Sequence, residues 1–295
     1  MLDRAAPTSA SANRSIAGTD AFTVEGFGAR ILIRVNTTSI VPSLQARLPP
    51  QARLGKDDVP DGVISVVVNG EHNGAEHLNL VYGGQKLYSR TPSLDDMLED
   101  YDSQLRFALA LHSRAIVFIH AGVVGWRGRA AIFPGSTFSG KTSLVAALIA
   151  AGATYFSDEH ALLDGEGRVH PWLKPLSVRD GLGGRQVEVP ASAFGGKAAT
   201  APLPAGLIVA TRYKKRARWN PHAIPASQGA LSLLANALAA RAAPERVLRA
   251  VGAAAAQARC YSTDRPEASR IAARLLALMD CSDREGIGDN GQAKC

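Results

Sequence analysis

Residues 135 to 142 read Gly-Ser-Thr-Phe-Ser-Gly-Lys-Thr, a full match to the pattern G-x-x-x-x-G-K-[ST]. The flanks constrain the chain more than the letters do. Ala130-Ala131-Ile132-Phe133 before the motif is an apolar run of strand character, and Ser143-Leu144-Val145-Ala146-Ala147-Leu148-Ile149 after it reads as a helix. A strand that ends in a glycine-rich turn and re-enters at once as a helix leaves several backbone N–H groups unpaired and aimed at one point. An anion there is held by the N–H groups, by the helix dipole and by the Lys141 ammonium. Gly135, Ser136, Thr137, Phe138, Ser139, Gly140, Lys141, Thr142 and Ser143 are therefore expected to cradle phosphate, with the Thr142 hydroxyl on a Mg2+ that bridges phosphates. The competing reading is a glycine turn beside a surface lysine, and the flanks disfavour it.

At 295 residues, 46% hydrophobic and 20% charged, the chain can bury a sizeable core as one large or two small domains. Its three cysteines, Cys260, Cys281 and Cys295, have unrelated spacings and form no C-x-x-C or His/Cys cluster. They predict a reducing compartment without structural disulfides. Residues 1 to 20 are rich in Ala, Ser and Thr and lack the apolar segment of a secretory signal. No run approaches the roughly 18 apolar residues of a membrane span, so the expected location is cytoplasmic. The net charge of +7 raises the question of nucleic acid. Its densest source, Arg212-Tyr213-Lys214-Lys215-Arg216-Ala217-Arg218, precedes Trp219 and follows the apolar run Leu207-Ile208-Val209-Ala210. Basic residues beside aromatics bind phosphate backbones and stack bases. No fold-level motif accompanies the run, and it reads equally as a solvated loop or as a holder of an acidic substrate.

Residues 1–20 and 281–295 are expected to be tails by composition. Between residues 21 and 112, Arg30–Val35, Val63–Val68 and Leu78–Tyr82 read as strands, with Asn69-Gly70 and Gly83-Gly84 as turns. A helix follows Ser93, carrying Leu94, Met97, Leu98, Tyr101, Leu105 and Leu109 at helical spacing and Asp96 in a capping arrangement. This predicts a smaller N-terminal α/β lobe. From 113 to 280 strands and helices alternate. Arg114–Val124 and Ala130–Phe133 read as strands joined by Gly125-Trp126-Arg127-Gly128, Thr142–Ala151 as a helix stopped by Gly152, and Ala153–Ser157 as a strand. Helices are expected at about 228–240, before 252–256 and at 266–279. The fold class is α/β, with layered helices on a sheet.

Ligands of open α/β sheets bind beyond the carboxyl ends of the strands. Asp158 and Glu159 follow an apolar strand and come soon after the motif helix. A carboxylate there can hold Mg2+, or take the proton of an attacking hydroxyl. The bland alternative is a solvated strand-to-turn junction. His120 ends the apolar run from Ile116, and on its own such a histidine is more often a core residue than a reactive one.

Together, His120-Ala121-Gly122, the phosphate loop fifteen residues later and Asp158 seventeen residues after Lys141 resemble the kinase domain of HPr kinase/phosphorylase. The resemblance covers about residues 113 to 165. Beyond it, Gly167 to Pro171, Lys174 to Ser177 and Leu207 to Tyr213 are similar to a wider group of HPr-kinase-like proteins that includes kinases of lasso-peptide precursors. The resemblance implies a P-loop kinase domain, ATP with Mg2+, and a Ser or Thr acceptor in a protein or peptide. It makes Lys141 a phosphate contact, Thr142 and Glu159 metal contacts, Asp158 the base toward the acceptor, and His120 a neighbour of the phosphate in transfer. The His120 strand is expected to run parallel to the strand entering the phosphate loop. Arg179 and Arg212 are candidate additional clamps, and Gly181 to Gly196 a mobile cover. Glu159 stands where the family has a second Asp, and a metal-holding glutamate ahead of Gly181-Leu182-Gly183 has no counterpart. A small-metabolite kinase and a nucleotide-binding regulatory module with weak or absent chemistry are the competing functions. A homo-oligomer is left open.

Overall fold

A computed structural model describes residues 20–56, 58–72, 75–136, 139–179 and 186–280. Thr137 and Phe138 of the expected cradle, residues 181–185 of the expected cover and both expected tails from residue 281 on and up to residue 19 lie outside the described residues. The chain divides into two compact units, Met1–Ala115 and Ile116–Cys295. The division falls three residues after the expected one, because Ser113 and Arg114 are tied back to Phe27: the Ser113 hydroxyl and the Arg114 N–H both donate to its carbonyl at 3.1 Å.

The first unit holds strands β1 (Ala21–Gly26) and β2 (Ala29–Val35), short helix α1 (Val41–Gln45), strands β3 (Arg53–Leu54), β4 (Gly62–His72), β5 (Ala75–Gly83) and β6 (Lys86–Thr91), and helix α2 (Leu94–His112). The strands form one sheet in the order β3-β1-β2-β4-β5-β6, parallel only between β2 and β4. Along β2, Ile31, Ile33 and Val35 are fully buried while the residues between them are not, the two-residue period of a sheet covered on one face. α2 supplies the cover with Met97, Tyr101, Leu105 and Leu109. Its start is set by Ser93, whose hydroxyl accepts from the Asp96 N–H at 3.2 Å. Asp96 does not return the bond. The Ser93 N–H donates instead to Thr91 Oγ1, so the cap is one-sided. Leu94 is exposed rather than part of the stripe. Asn69-Gly70 is not a turn. Both residues lie inside β4, where the pairing with β5 slips between Val67 and Gly70 and Asn69 takes a φ of 52°. A bulge, not a reversal, uses the left-handed tolerance of asparagine. Gly84 does lie between β5 and β6, with φ 59°.

The second unit contains β7 (Val117–Trp126), β8 (Arg129–Pro134), α3 (Lys141–Ala150), β9 (Thr154–Ser157), β10 (His160–Leu163), β11 (Arg168–His170), β12 (Leu176–Arg179), β13 (Gln186–Val189), β14 (Leu203–Tyr213), β15 (His222–Ala223), α4 (Ala226–Leu234), α5 (Pro244–Gln257), β16 (Arg259–Arg265) and α6 (Ala268–Asp280). The main sheet runs β11-β10-β7-β8-β14-β16-β15, with β9 also paired to β7. β8, β14 and β16 are mutually parallel, so their carboxyl ends share one edge. Ala131 and Phe133 of β8 pack with α3 and α6, while Ala130 and Ile132 pack with α4 and α5. Burial on both faces explains why β8 reads as an unbroken apolar run. The result is a mixed α/β unit with helices on both faces of the sheet.

β7 and β8 are antiparallel, contrary to the expected parallel order. Only Arg127 and Gly128 join them, with φ 46° and 78°, and so short a link permits a hairpin alone. The helix expected at 228–240 ends at Leu234, and Gly252 lies inside α5. Residues 186–196 are not a free glycine cover. They form β13 and a 3-10 turn at Ala191–Phe194, and Gly196 sits so close to α3 that a Cβ would fall 2.1 Å from Ile149 Cγ2.

Candidate functional site

The glycine-rich loop between Gly135 and Gly140 leaves β8 at the shared carboxyl edge and enters α3 at Lys141. Gly140 precedes the helix with φ 79° and carries no capping side chain. Glycine takes that conformation without strain, and having no side chain it caps none of the first N–H groups of α3. The Lys141 ammonium folds back over the loop, donating to the carbonyls of Gly135 at 3.0 Å and Ser136 at 2.9 Å. Burial lowers its pKa, and the charges of Asp158 and Glu159 act in the opposite direction. The Ser139 hydroxyl is buried and has no hydrogen-bond partner among the described residues.

Asp158 and Glu159 do not sit at a simple strand end. The register Val123↔Ser157 continues to His120↔His160, so β9 and β10 are one line of chain along β7, interrupted at the two acids. Ser157 makes the interruption by accepting from the N–H groups of Glu159 at 3.1 Å and His160 at 2.9 Å. Asp158 then faces α3. Thr142 donates its hydroxyl to Asp158 Oδ2 at 2.8 Å, the Ser177 N–H reaches the same oxygen at 3.1 Å, and the Tyr155 hydroxyl lies 3.2 Å from Oδ1. At 4% exposure Asp158 is a buried carboxylate satisfied by these groups. The Tyr155 hydroxyl shares its single proton between Asp158 and the closer Lys174 carbonyl at 2.6 Å, and burial with the adjacent Asp158 charge raises its pKa.

Glu159 is more open. Its Oε2 lies 3.8 Å from the Lys174 ammonium, and its Oε1 4.0 Å from His160 Nδ1. Lys174 also donates to Ser177 Oγ at 2.9 Å and approaches Glu188 of β13 at 3.4 Å. His120 lies opposite His160, their ring centroids 5.7 Å apart. The His120 carbonyl accepts from the Gly135 N–H at 3.1 Å, which ties β7 to the first residue of the loop despite its reversed direction. Burial, then the Lys141 charge, lowers the His120 pKa, while Glu159 opposes the shift. The imidazole is thereby biased to its neutral form.

The structure thus brings Lys141, Thr142, Asp158, Glu159 and His120 to one edge of the sheet. The two proposed clamps differ. Arg179 ends β12 and is exposed, while Arg212 is 79% exposed and paired to Asp264 at 3.2 Å. The basic run is likewise partly neutralised, with Lys214 3.4 Å from the same carboxylate. Sequence reasoning missed Tyr155, Ser177 and Lys174 as supports of the acids, and Arg265 as a partner of the loop. No periodicity or motif marks them, since each reaches the site through the fold. No protein-family model and no curated protein matches the chain. Among the described residues no helix is long and apolar enough to cross a membrane.

Proposed function

We propose that this chain is a P-loop kinase of the HPr-kinase type, moving the γ-phosphate of ATP to a hydroxyl, that of a Ser or Thr in a protein or peptide. The observation that carries the reading is the 2.8 Å bond from Thr142 to the buried Asp158, at the start of a helix whose preceding loop is gathered by Lys141. A hydroxyl and a carboxylate so placed, beside a lysine and the N-terminal turn of a helix, fit a magnesium-bound polyphosphate. The buried Ser139 hydroxyl, without a partner among the described residues, fits it as well, as a donor for a phosphate oxygen. When bound, Mg2+ would neutralise charge between phosphates.

The rest of the chemistry belongs to the side chains. Lys141 supplies positive charge at the transferred group and is released from two carbonyls to do so. Asp158 already accepts from Thr142 and Ser177 on one oxygen, which supports the metal side for it more than the base role. Glu159 and the neutral His120, on the same sheet edge, are then the groups that could take or share a proton. Lys174 holds Glu159 in place across 3.8 Å.

The test is incubation of the protein with γ-labelled ATP and host lysate, followed by mass identification of labelled products. A labelled protein or peptide supports the reading. A labelled metabolite assigns the small-molecule alternative, and ATP binding without turnover or label assigns the regulatory module.

A further inference from the structure

We infer that Arg265 sets the shape and charge of the phosphate loop, and so its affinity for polyphosphate, acting through the loop backbone as a positioning residue. The inference rests on the phosphate-binding reading of that loop. Arg265 ends β16, and its residue is only 2% exposed. Its Nη2 donates to the carbonyls of Ser139 at 3.0 Å and Gly140 at 2.9 Å, and its Nη1 to Pro266 at 3.4 Å. The guanidinium also lies over the Tyr213 ring, 5.6 Å from its centroid. Gly140 leaves room for this approach, since a Cβ there would fall 2.5 Å from Nη2.

Two consequences follow from elementary chemistry. In a trans peptide the C=O of one residue and the N–H of the next point in opposite directions. Holding the Ser139 and Gly140 carbonyls on the guanidinium therefore turns the Gly140 and Lys141 N–H groups to the other side, where the anion is expected. The Gly140 carbonyl accepts from the Leu144 N–H as well, at 3.1 Å, so the same atom anchors the first turn of α3. The second consequence is electrostatic. A buried cation is retained where it is compensated. Among the described residues no carboxylate lies within ion-pair distance of Arg265; the nearby Glu267 bonds to the Tyr213 hydroxyl. Carbonyl dipoles compensate part of its charge, and a polyanion on the far side of the loop would complete the match.

The experiment titrates wild type, Arg265→Gln and Arg265→Lys with Mg-ATP and, separately, inorganic tripolyphosphate by calorimetry, with a thermal melt of each protein. Arg265→Gln should melt cooperatively yet bind both probes about ten-fold or more weakly, with a shallower salt dependence, the size expected for losing charge-assisted contacts. Arg265→Lys, which keeps the charge but not the two-carbonyl fork, should recover part of the affinity. A cooperatively melting Arg265→Gln with unchanged affinity for both probes overturns the inference. So does loss of cooperative melting in both variants, which would make Arg265 a residue of the core alone. If the wild type itself binds neither probe, the phosphate-loop reading fails, a result distinct from failure of the Arg265 variants.

Discussion

Lys141 directs its donors to two carbonyls of its own loop, so on the proposed reading its removal should cost ligand affinity and little packing. Lys141→Ala is expected to melt like the wild type and to bind ATP about ten-fold or more weakly, from the loss of a charge-assisted bond. Burial holds its pKa down, and an arriving polyphosphate favours the charged form. ATP binding should therefore take up protons at alkaline pH, read by calorimetry in buffers of different ionisation enthalpy; equal uptake in Lys141→Ala assigns the proton elsewhere. For Asp158, the Asn variant separates two roles. A metal-side carboxylate predicts weaker activity that excess Mg2+ partly restores, whereas a base predicts normal Mg-ATP binding with transfer slowed roughly 10²–10⁴-fold. Full activity would remove both. His120→Ala should slow transfer with ATP affinity within a few-fold; a variant that fails to fold identifies a core histidine. The folded-state pKa of His120 is depressed, so its protonation favours the unfolded chain. It should cost stability as pH falls below about 6.5, the ordinary histidine value. The melting temperature of His120→Gln should then fall less steeply between pH 7 and pH 5, and parallel curves would show that His120 is not the group responsible.

At the scale of elements, the site depends on how closely α3 approaches β7. Gly122 lies opposite the interruption that carries Asp158, and a Cβ there would come within 2.8 Å of Val145 Cγ2. Valine is stiff about χ1 and yields little, so the helix itself would have to shift, taking Lys141 and Thr142 with it. Gly122→Ala should destabilise by about 1–3 kcal/mol, the usual cost of overpacking, and weaken Mg-ATP binding. Adding Val145→Ala should recover both quantities, because the two substitutions meet at one contact. Independent effects in the double variant would place the strain elsewhere. The hairpin of β7 and β8, the α3 start at Lys141 and the Ser93 cap of α2 are all readable locally, since each is decided by a few adjacent residues. The bulge at Asn69 was not, because an Asn-Gly pair suits a reversal or a bulge equally and only the partner strand distinguishes them.

For the molecule as a whole, the larger clusters of buried side chains share no residue: one lies under α2, and one on each face of the larger sheet. The chain carries a net charge of +7, and net positive charge attracts polyphosphate in a salt-dependent way. ATP affinity should fall several-fold between about 50 and 500 mM salt, beyond one Debye-length regime, while the melting temperature changes little. An affinity indifferent to salt would confine the attraction to the loop. The amino-acid sequence alone determined the α/β class, the glycine-rich loop that enters a helix, and the order of His120, Lys141 and Asp158, because local pattern and turn chemistry decide those. The antiparallel direction of β7 was also readable from the two-residue link, but the expectation of a parallel strand overlooked it. Only the tertiary structure decided that Asp158 bonds Thr142, that Tyr155 and Ser177 hold it, and that Arg265 reaches Gly140 across 125 residues of chain. Those contacts arise from strand register and helix packing, which bring together residues with no local trace of each other.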